Sequence, residues 1–330
     1  MSLPSFKILA AVFALAVAVP TIAQEQRAPD GAAAPDANAV NEQTLLQQES
    51  RIEGRIDIPD TRARVLIQPA GRRWDYFHEM TLHRVGAIVI LGMIVLLALA
   101  FLILGRTRIS AGRSGKKITR FTAFERFSHW LTAASFVLLG LTGLNITFGK
   151  IVLLPLMGES AFSDLAQFAK YVHNFVSFAF IVGLILIVAL WIKDNIPRQV
   201  DIDWIKQGGG FVKGKHAPAG RFNAGEKVVF WCALAAGAAV SVSGLLLLFP
   251  FYGTNIAAMQ VAQVVHALIA VLFVALILAH IYIGTLGMEG AFEAMGTGEV
   301  DVNWAKEHHD LWYEKKAQES LGPASATSIK

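Results

Sequence analysis

The stretch Asn255–Gly287, NIAAMQVAQVVHALIAVLFVALILAHIYIGTLG, decides the fold. It holds no acid, no Lys and no Arg, and it is long enough to cross a bilayer, which takes roughly 20 helical residues. Two histidines interrupt the apolar run, His266 and His280. Their separation is just under four helical turns, so both rings leave one face, about 21 Å apart along the axis. Ionisable groups inside a membrane are rare and mark function. Two imidazoles on one stripe, one toward each side of the membrane, suit a helix that serves two stacked haems. The competing reading is a pair of polar groups that hydrogen-bond to neighbouring helices.

Outward from this helix, the rest of the apolar residues also come in blocks. With 54% hydrophobic and 16% charged residues among 330, the composition is that of a polytopic membrane protein. The further blocks are Arg84–Leu104, Phe124–Phe148, Phe168–Ile192 and Lys227–Phe249. The fold class expected is an all-α membrane protein, a bundle of five spans with an N-terminal signal and extension. Four of the spans form a di-haem cytochrome b core. Lys and Arg cluster in alternate loops: Arg106, Arg108, Arg113, Lys116, Lys117 and Arg120 in one, Lys193, Arg198, Lys206, Lys213 and Lys215 in another. By the positive-inside pattern both loops are cytoplasmic, and the net charge of +4 calls for no nucleic-acid partner. Cys232 is the only cysteine, which excludes an intramolecular disulfide and any iron–sulfur cluster held by this chain alone. Redox chemistry then rests on haem, flavin or quinone.

Residues 1–23 read as a secretory signal: Lys7, an apolar run and a small residue at Ala23. An uncleaved signal anchor is the alternative. Residues 24–83 form an Ala/Pro/Arg-rich periplasmic extension, whose His78 and His83 read as surface or interfacial residues. Residues 84–104 are an extra span with no polar interior, 119–287 the four-helix domain, and 288–330 a cytoplasmic tail. With Trp304, Trp312 and Tyr313 among charges, that tail reads as amphipathic and lying against the inner membrane face.

This topology turns the histidines into a geometric prediction. His173 begins one inward-running helix and His266 lies in the outer half of another, so both sit on the periplasmic side. His129 begins an outward-running helix at the cytoplasmic face, where His280 ends the fifth span. Two bis-histidine sites follow, each suited to low-spin haem b and electron transfer, because no axial position stays open for a substrate. Haem propionates need counter-charges or donors. Arg126 and Trp130 flank His129, and Lys170 and Tyr171 precede His173; each serves equally well as a snorkelling base or interfacial aromatic. His216 and the pair His308–His309 read as plain surface histidines.

Four motifs carry a resemblance: RFTAFERFSHW (120–130), the two histidines of the fifth span, RFNAGEK (221–227) and WAKEHHDLWYEK (304–315). Over about Thr119 to Lys315 the chain resembles the gamma subunits of respiratory formate dehydrogenases, the membrane cytochrome b of formate:quinone oxidoreductases. The resemblance implies two haem b groups, with His129 and His280 ligating the cytoplasmic-side haem and His173 and His266 the periplasmic-side haem. It implies Asn223 beside a quinone pocket, where an amide hydrogen-bonds a menaquinone or ubiquinone oxygen. From the residues alone, Asn223 also fits a helix N-cap with Glu226 three positions on.

The partners implied are an iron–sulfur beta subunit and a molybdenum- or tungsten-containing alpha subunit that oxidises formate. The localisation implied is the bacterial inner membrane. Other di-haem cytochromes b share this architecture, paired with a hydrogenase or thiosulfate reductase or working alone. A haem-free anchor or transporter is the rival from another class, against which stands the lack of an intramembrane carboxylate or a broken helix.

Overall fold

The computed structural model describes residues 74–209, 217–250 and 252–321. The expected signal sequence (1–23), most of the expected extension that follows it, and His216 lie outside the described residues. Five helices are long and apolar enough to cross a membrane: Trp74–Leu104, Ala123–Val152, Glu159–Trp191, Ala224–Leu248 and Ile256–Gly287. The protein is an all-α membrane bundle of five spans. Its regular helices are α1 (His83–Leu104), α2 (Ala123–Val152), α3 (Glu159–Trp191), α5 (Ala224–Leu248) and α6 (Ile256–Tyr282), with the short α4 (Gln199–Lys206) between α3 and α5.

The helix starts follow from capping chemistry. Thr122 accepts from the Glu125 backbone N–H while the Glu125 carboxylate accepts from that of Thr122, a complete capping box. Asn223 and Glu226 repeat the arrangement at α5, and Asn255 accepts from Ala258 at α6. The first span begins at Trp74, ahead of the expected Arg84, through a π-helical turn, Phe77–Leu82. Helix α3 likewise starts at Glu159, ahead of the expected Phe168. A left-handed Gly158 (φ 80°) breaks the chain there, and Glu159 in the first turn suits the positive end of the helix dipole.

Helix α2 packs along α3 and α5 along α6, making two antiparallel hairpins; α3 touches α5, and α1 lies against α6. Lipid offers no hydrophobic drive for helices to associate, so close approach rests on small residues. Gly183 faces Thr132 across α2 and α3, and a Cβ at Gly237 would stand 3.0 Å from Leu184. A Cβ at Gly86 would stand 3.0 Å from Phe148 and 3.4 Å from Val271, which seats α1 on the bundle. His83, expected at the surface or the membrane interface, is instead buried, with its Nε2 2.6 Å from the Thr147 carbonyl.

At the basic end the connecting segments form a cap. Strand β1 (Lys117–Thr119) pairs antiparallel with β2 (Glu299–Asp301), followed by α8 (Val302–His308) and α9 (Asp310–Leu321); α7 (Ala291–Gly296) precedes β2. Trp304, Trp312 and Val300 are buried with Ile109, Phe121 and Phe222 in one apolar cluster. The tail's tryptophans therefore face a protein core and not the membrane. The ribbon fixes their register, and the guanidinium of Arg120 lies 5.2 Å from the Trp304 ring. His309, expected at the surface, is only 1% exposed.

Candidate functional site

The four membrane histidines meet in two pairs. The rings of His129 on α2 and His280 on α6 stand 6.3 Å apart, centre to centre, and those of His173 on α3 and His266 on α6 stand 6.2 Å apart. Neither separation allows a direct hydrogen bond. A metal bonded to both rings, at about 2.1 Å to nitrogen and about 1.1 Å more to each ring centre, would set the centres about 6.4 Å apart. Helix α6 contributes to both pairs, while α2 and α3 each supply one partner.

The two pairs differ in what holds their rings. Nδ1 of His173 lies 2.9 Å from Thr142 Oγ1, and that hydroxyl donates to the Leu138 carbonyl at 2.7 Å. Nδ1 of His266 lies 3.1 Å from Ser243 Oγ, which donates to the Ala239 carbonyl at 2.7 Å. Each hydroxyl proton is committed to its own helix, so each imidazole must be the donor, and Nε2 keeps its lone pair for a metal. The glycine after each hydroxyl makes room: a Cβ at Gly143 would stand 3.4 Å from His173 Cε1, and one at Gly244 3.1 Å from His266 Cε1. His129 and His280 have no such support among the described residues, and His129 Nδ1 is buried without a partner. Between the pairs three aromatic rings meet. Phe136 and Phe273 are 4.6 Å apart, with Phe180 6.2 Å and 6.3 Å from them. Each lies seven residues from a histidine on its own helix, hence on the same stripe.

Beyond the His129–His280 pair lies a buried polar network. Arg120 donates to Glu226 (2.9 Å) and to the Arg221 carbonyl (2.8 Å); Arg221 donates to Glu125 (2.6 Å) and to the Arg120 carbonyl (3.3 Å). The two motifs are thus latched reciprocally, each arginine to the other's capping glutamate. Trp191 Nε1 also donates to Glu125 at 2.9 Å. His309 lies against Glu226, with Nε2 3.7 Å from its carboxylate, and Nδ1 donates to the Gly220 carbonyl at 2.9 Å. Burial, reinforced by the Arg120 charge, pushes the His309 pKa down to about 3, so the ring stays neutral.

Asn223 is the α5 cap. Its Oδ1 accepts from Glu226 N–H at 2.9 Å, and its amide NH2 is the donor it can offer a ligand. It lines a small solvent-open cleft of about 50 Å³ with Trp204, Met288, Glu307 and His308; the His280 ring is not among the walls. Arg126 Nη1 donates to the Gly296 carbonyl at 2.8 Å, while its Nε is buried with no partner. Trp130 Nε1 is committed to the Met295 carbonyl at 2.9 Å, and Lys170 and Tyr171 are exposed.

A sequence model of prokaryotic cytochrome b561 matches residues 120–298, the segment that carries both pairs and the latch. The chain belongs to the prokaryotic cytochrome b561 family. It is 32% identical over 212 residues to "Formate dehydrogenase, cytochrome b556(fdo) subunit" of Escherichia coli (strain K12), covering 61% of this chain and 97% of that protein. It is 29% identical over 204 residues (60% and 91%) to the nitrate-inducible cytochrome b556(Fdn) subunit of the same strain. The cytochrome b556 subunit of Haemophilus influenzae formate dehydrogenase shares 28% over 211 residues (62% and 86%). A cytochrome b561 carries haem b, and facing neutral imidazoles with free Nε2 atoms are a donor set that fits it.

Sequence reasoning had missed several groups in this cytochrome b561. Thr142, Ser243 and their glycines were one signal away: the motif RFTAFER recurs as RFNAGEK, and the same offset carries Thr142-Gly143 onto Ser243-Gly244. The seven-residue spacing of the three phenylalanines was equally visible. His309 left no local signal, because only the tertiary latch buries it.

Proposed function

We propose that this cytochrome b561 is the membrane electron-transfer subunit of a formate dehydrogenase, passing electrons from an iron–sulfur subunit to a quinone. The observation that carries the reading is the two stacked histidine pairs on one shared helix, in a chain that covers nearly the whole length of a formate dehydrogenase cytochrome subunit. His173 and His266 hold one haem b, and His129 and His280 the other. When bound, the two haems supply one-electron transfer across the apolar thickness of the bundle. The chain's own residues supply uncharged imidazoles to both sites, and Phe136, Phe180 and Phe273 fill the space between them with apolar rings.

The basic loops set the latched end on the cytoplasmic side and the His173–His266 pair on the periplasmic side, where the iron–sulfur and molybdenum- or tungsten-containing subunits dock. With this orientation the chain divides into a signal (1–23), a periplasmic extension that ends where the first span begins at Trp74, an extra span that ends at Leu104, the cytochrome core (119–287) and a cytoplasmic tail (288–330). Asn223 offers its amide NH2 to a quinone carbonyl in the cleft at that end. The orphaned Arg126 Nε is the donor placed for a propionate near His129. Quinone takes two electrons and two protons to become quinol, and a cytoplasmic site draws both protons from that side. Each electron moved inward opposes the membrane potential by about 2.3 kcal/mol per 100 mV, and a donor as reducing as formate meets that cost. The test is His280→Ala in the intact complex. One haem of two should be lost and formate-driven quinol formation abolished, while formate oxidation by an artificial dye persists. Quinol formation at the wild-type rate would refute the site, and co-purification with a hydrogenase in place of a formate-oxidising subunit would refute the partner.

A further inference from the structure

The two histidine pairs are supported unequally, and that inequality has an electronic consequence. Both rings of the His173–His266 pair donate Nδ1–H to a hydroxyl, Thr142 at 2.9 Å and Ser243 at 3.1 Å. Both hydroxyls are themselves polarised by donating to a helix carbonyl, at 2.7 Å in each case. A chain of hydrogen bonds strengthens its members, more so in a low-dielectric interior. Donation from Nδ1 raises the basicity of the ligating nitrogen, and a more basic ligand favours ferric over ferrous iron. The other pair lacks this support: His129 Nδ1 is buried with no partner, and among the described residues no hydrogen bond reaches the His280 ring. Glu226, whose charge His280 feels, is matched by Arg120 at 2.9 Å.

We propose that Thr142 and Ser243 are positioning residues that hold the His173–His266 haem at a lower reduction potential than the His129–His280 haem, and so fix the direction of electron flow along the bundle. The proposal rests on the two-haem reading above. The repeat within the sequence gives it a second footing. Thr142-Gly143 and Ser243-Gly244 occupy equivalent places after the motifs RFTAFER and RFNAGEK, so one haem is supported symmetrically from both halves. The counterpart of His129 in the second half is Phe230, so the other haem has no symmetric site to inherit support from.

The experiment is a redox titration of the b-type optical bands in the purified complex, with haem counted per chain. The wild type should show two components. Thr142→Val and Ser243→Ala should each raise the lower-potential component and leave the upper one in place. Combined, they should shift its ferric–ferrous balance about tenfold, which is about 59 mV for a one-electron couple. Thr142→Ser, which keeps the hydroxyl, should restore the wild-type value. Should Thr142→Val bind too little haem to titrate, Thr142→Cys places a weak sulfur acceptor at the same point and should give a smaller rise. Variants that keep both haems with the lower component unmoved, or a shift confined to the upper component, would overturn the proposal. A wild type with one component and one haem would overturn the two-haem reading instead.

Discussion

His309 makes the cap at the latched end sensitive to acid. Its ring is 1% exposed, lies tilted against Trp304 with centres 5.1 Å apart, and is held neutral with a pKa pushed down to about 3. In the unfolded chain the same ring takes up a proton near pH 6.5. Below that point the unfolded state binds the extra proton and the folded state does not, so stability rises with pH across the window. The contribution is fully present above about pH 6.5 and is lost as pH falls toward 3. The slope is about 1.4 kcal/mol per pH unit, and the whole window amounts to about 5 kcal/mol. Carboxylates ordinarily titrate near pH 4, below the upper part of this window. Amide exchange of 299–312, corrected for intrinsic rate, should therefore lose about tenfold protection per unit between pH 6 and pH 5. His309→Asn keeps a donor for the Gly220 carbonyl and removes the titration, so it should flatten the slope. A slope that survives in His309→Asn, or a flat wild-type profile, would show that this ring is not what acid attacks.

Phe273 is 4% exposed and touches both other rings of the aromatic cluster, so Phe273→Ala opens a void that helices in lipid have no water-driven means to close. A cost of about 3 kcal/mol is expected, read as a lower midpoint for thermal loss of the haem band, with Phe273→Leu recovering most of it. The two glycines beside the His173–His266 pair should respond unequally. Gly143→Ala places its Cβ in ordinary contact with His173, whereas a Cβ at Gly244 falls 3.1 Å from His266, and Gly244→Val would push the ring aside. Haem assay should find both groups in Gly143→Ala and one missing in Gly244→Val.

The spans were legible because lipid imposes a simple rule. Apolar runs such as that of α6 have no other use for such length, and the structure returns five helices where five runs were read. The juxtaposition of the histidines was legible for a related reason: orientation and helix pitch leave little freedom in depth, and the pairs His129–His280 and His173–His266 face one another as spacing required. The tail was misread because an amphipathic pattern does not say what covers its apolar face. Trp304 and Trp312 look the same in sequence whether a bilayer or Phe121 lies opposite, and only the β1–β2 pairing decides. Helix ends beyond the membrane were likewise misjudged, since polar residues such as Glu159 and Asp164 extend α3 without any hydropathic mark.

Asymmetry is where the fold and the proposed function meet. The reciprocal latch, Arg120 on Glu226 and Arg221 on Glu125, clasps the two hairpins through a sequence pattern that both carry. A perfectly repeated bundle would hold its haems in equivalent surroundings and give electrons no preferred direction. Here the equivalence survives at one level, where Thr142 and Ser243 face His173 and His266, and fails at the other, where His129 in the first half answers to Phe230 in the second. The unsupported pair is the one whose His280 feels the charge of the latch residue Glu226, so on the proposed reading the haem left easier to reduce is the one on the latch side. Direction, on this argument, comes from breaking one copy of a repeat and needs no moving part.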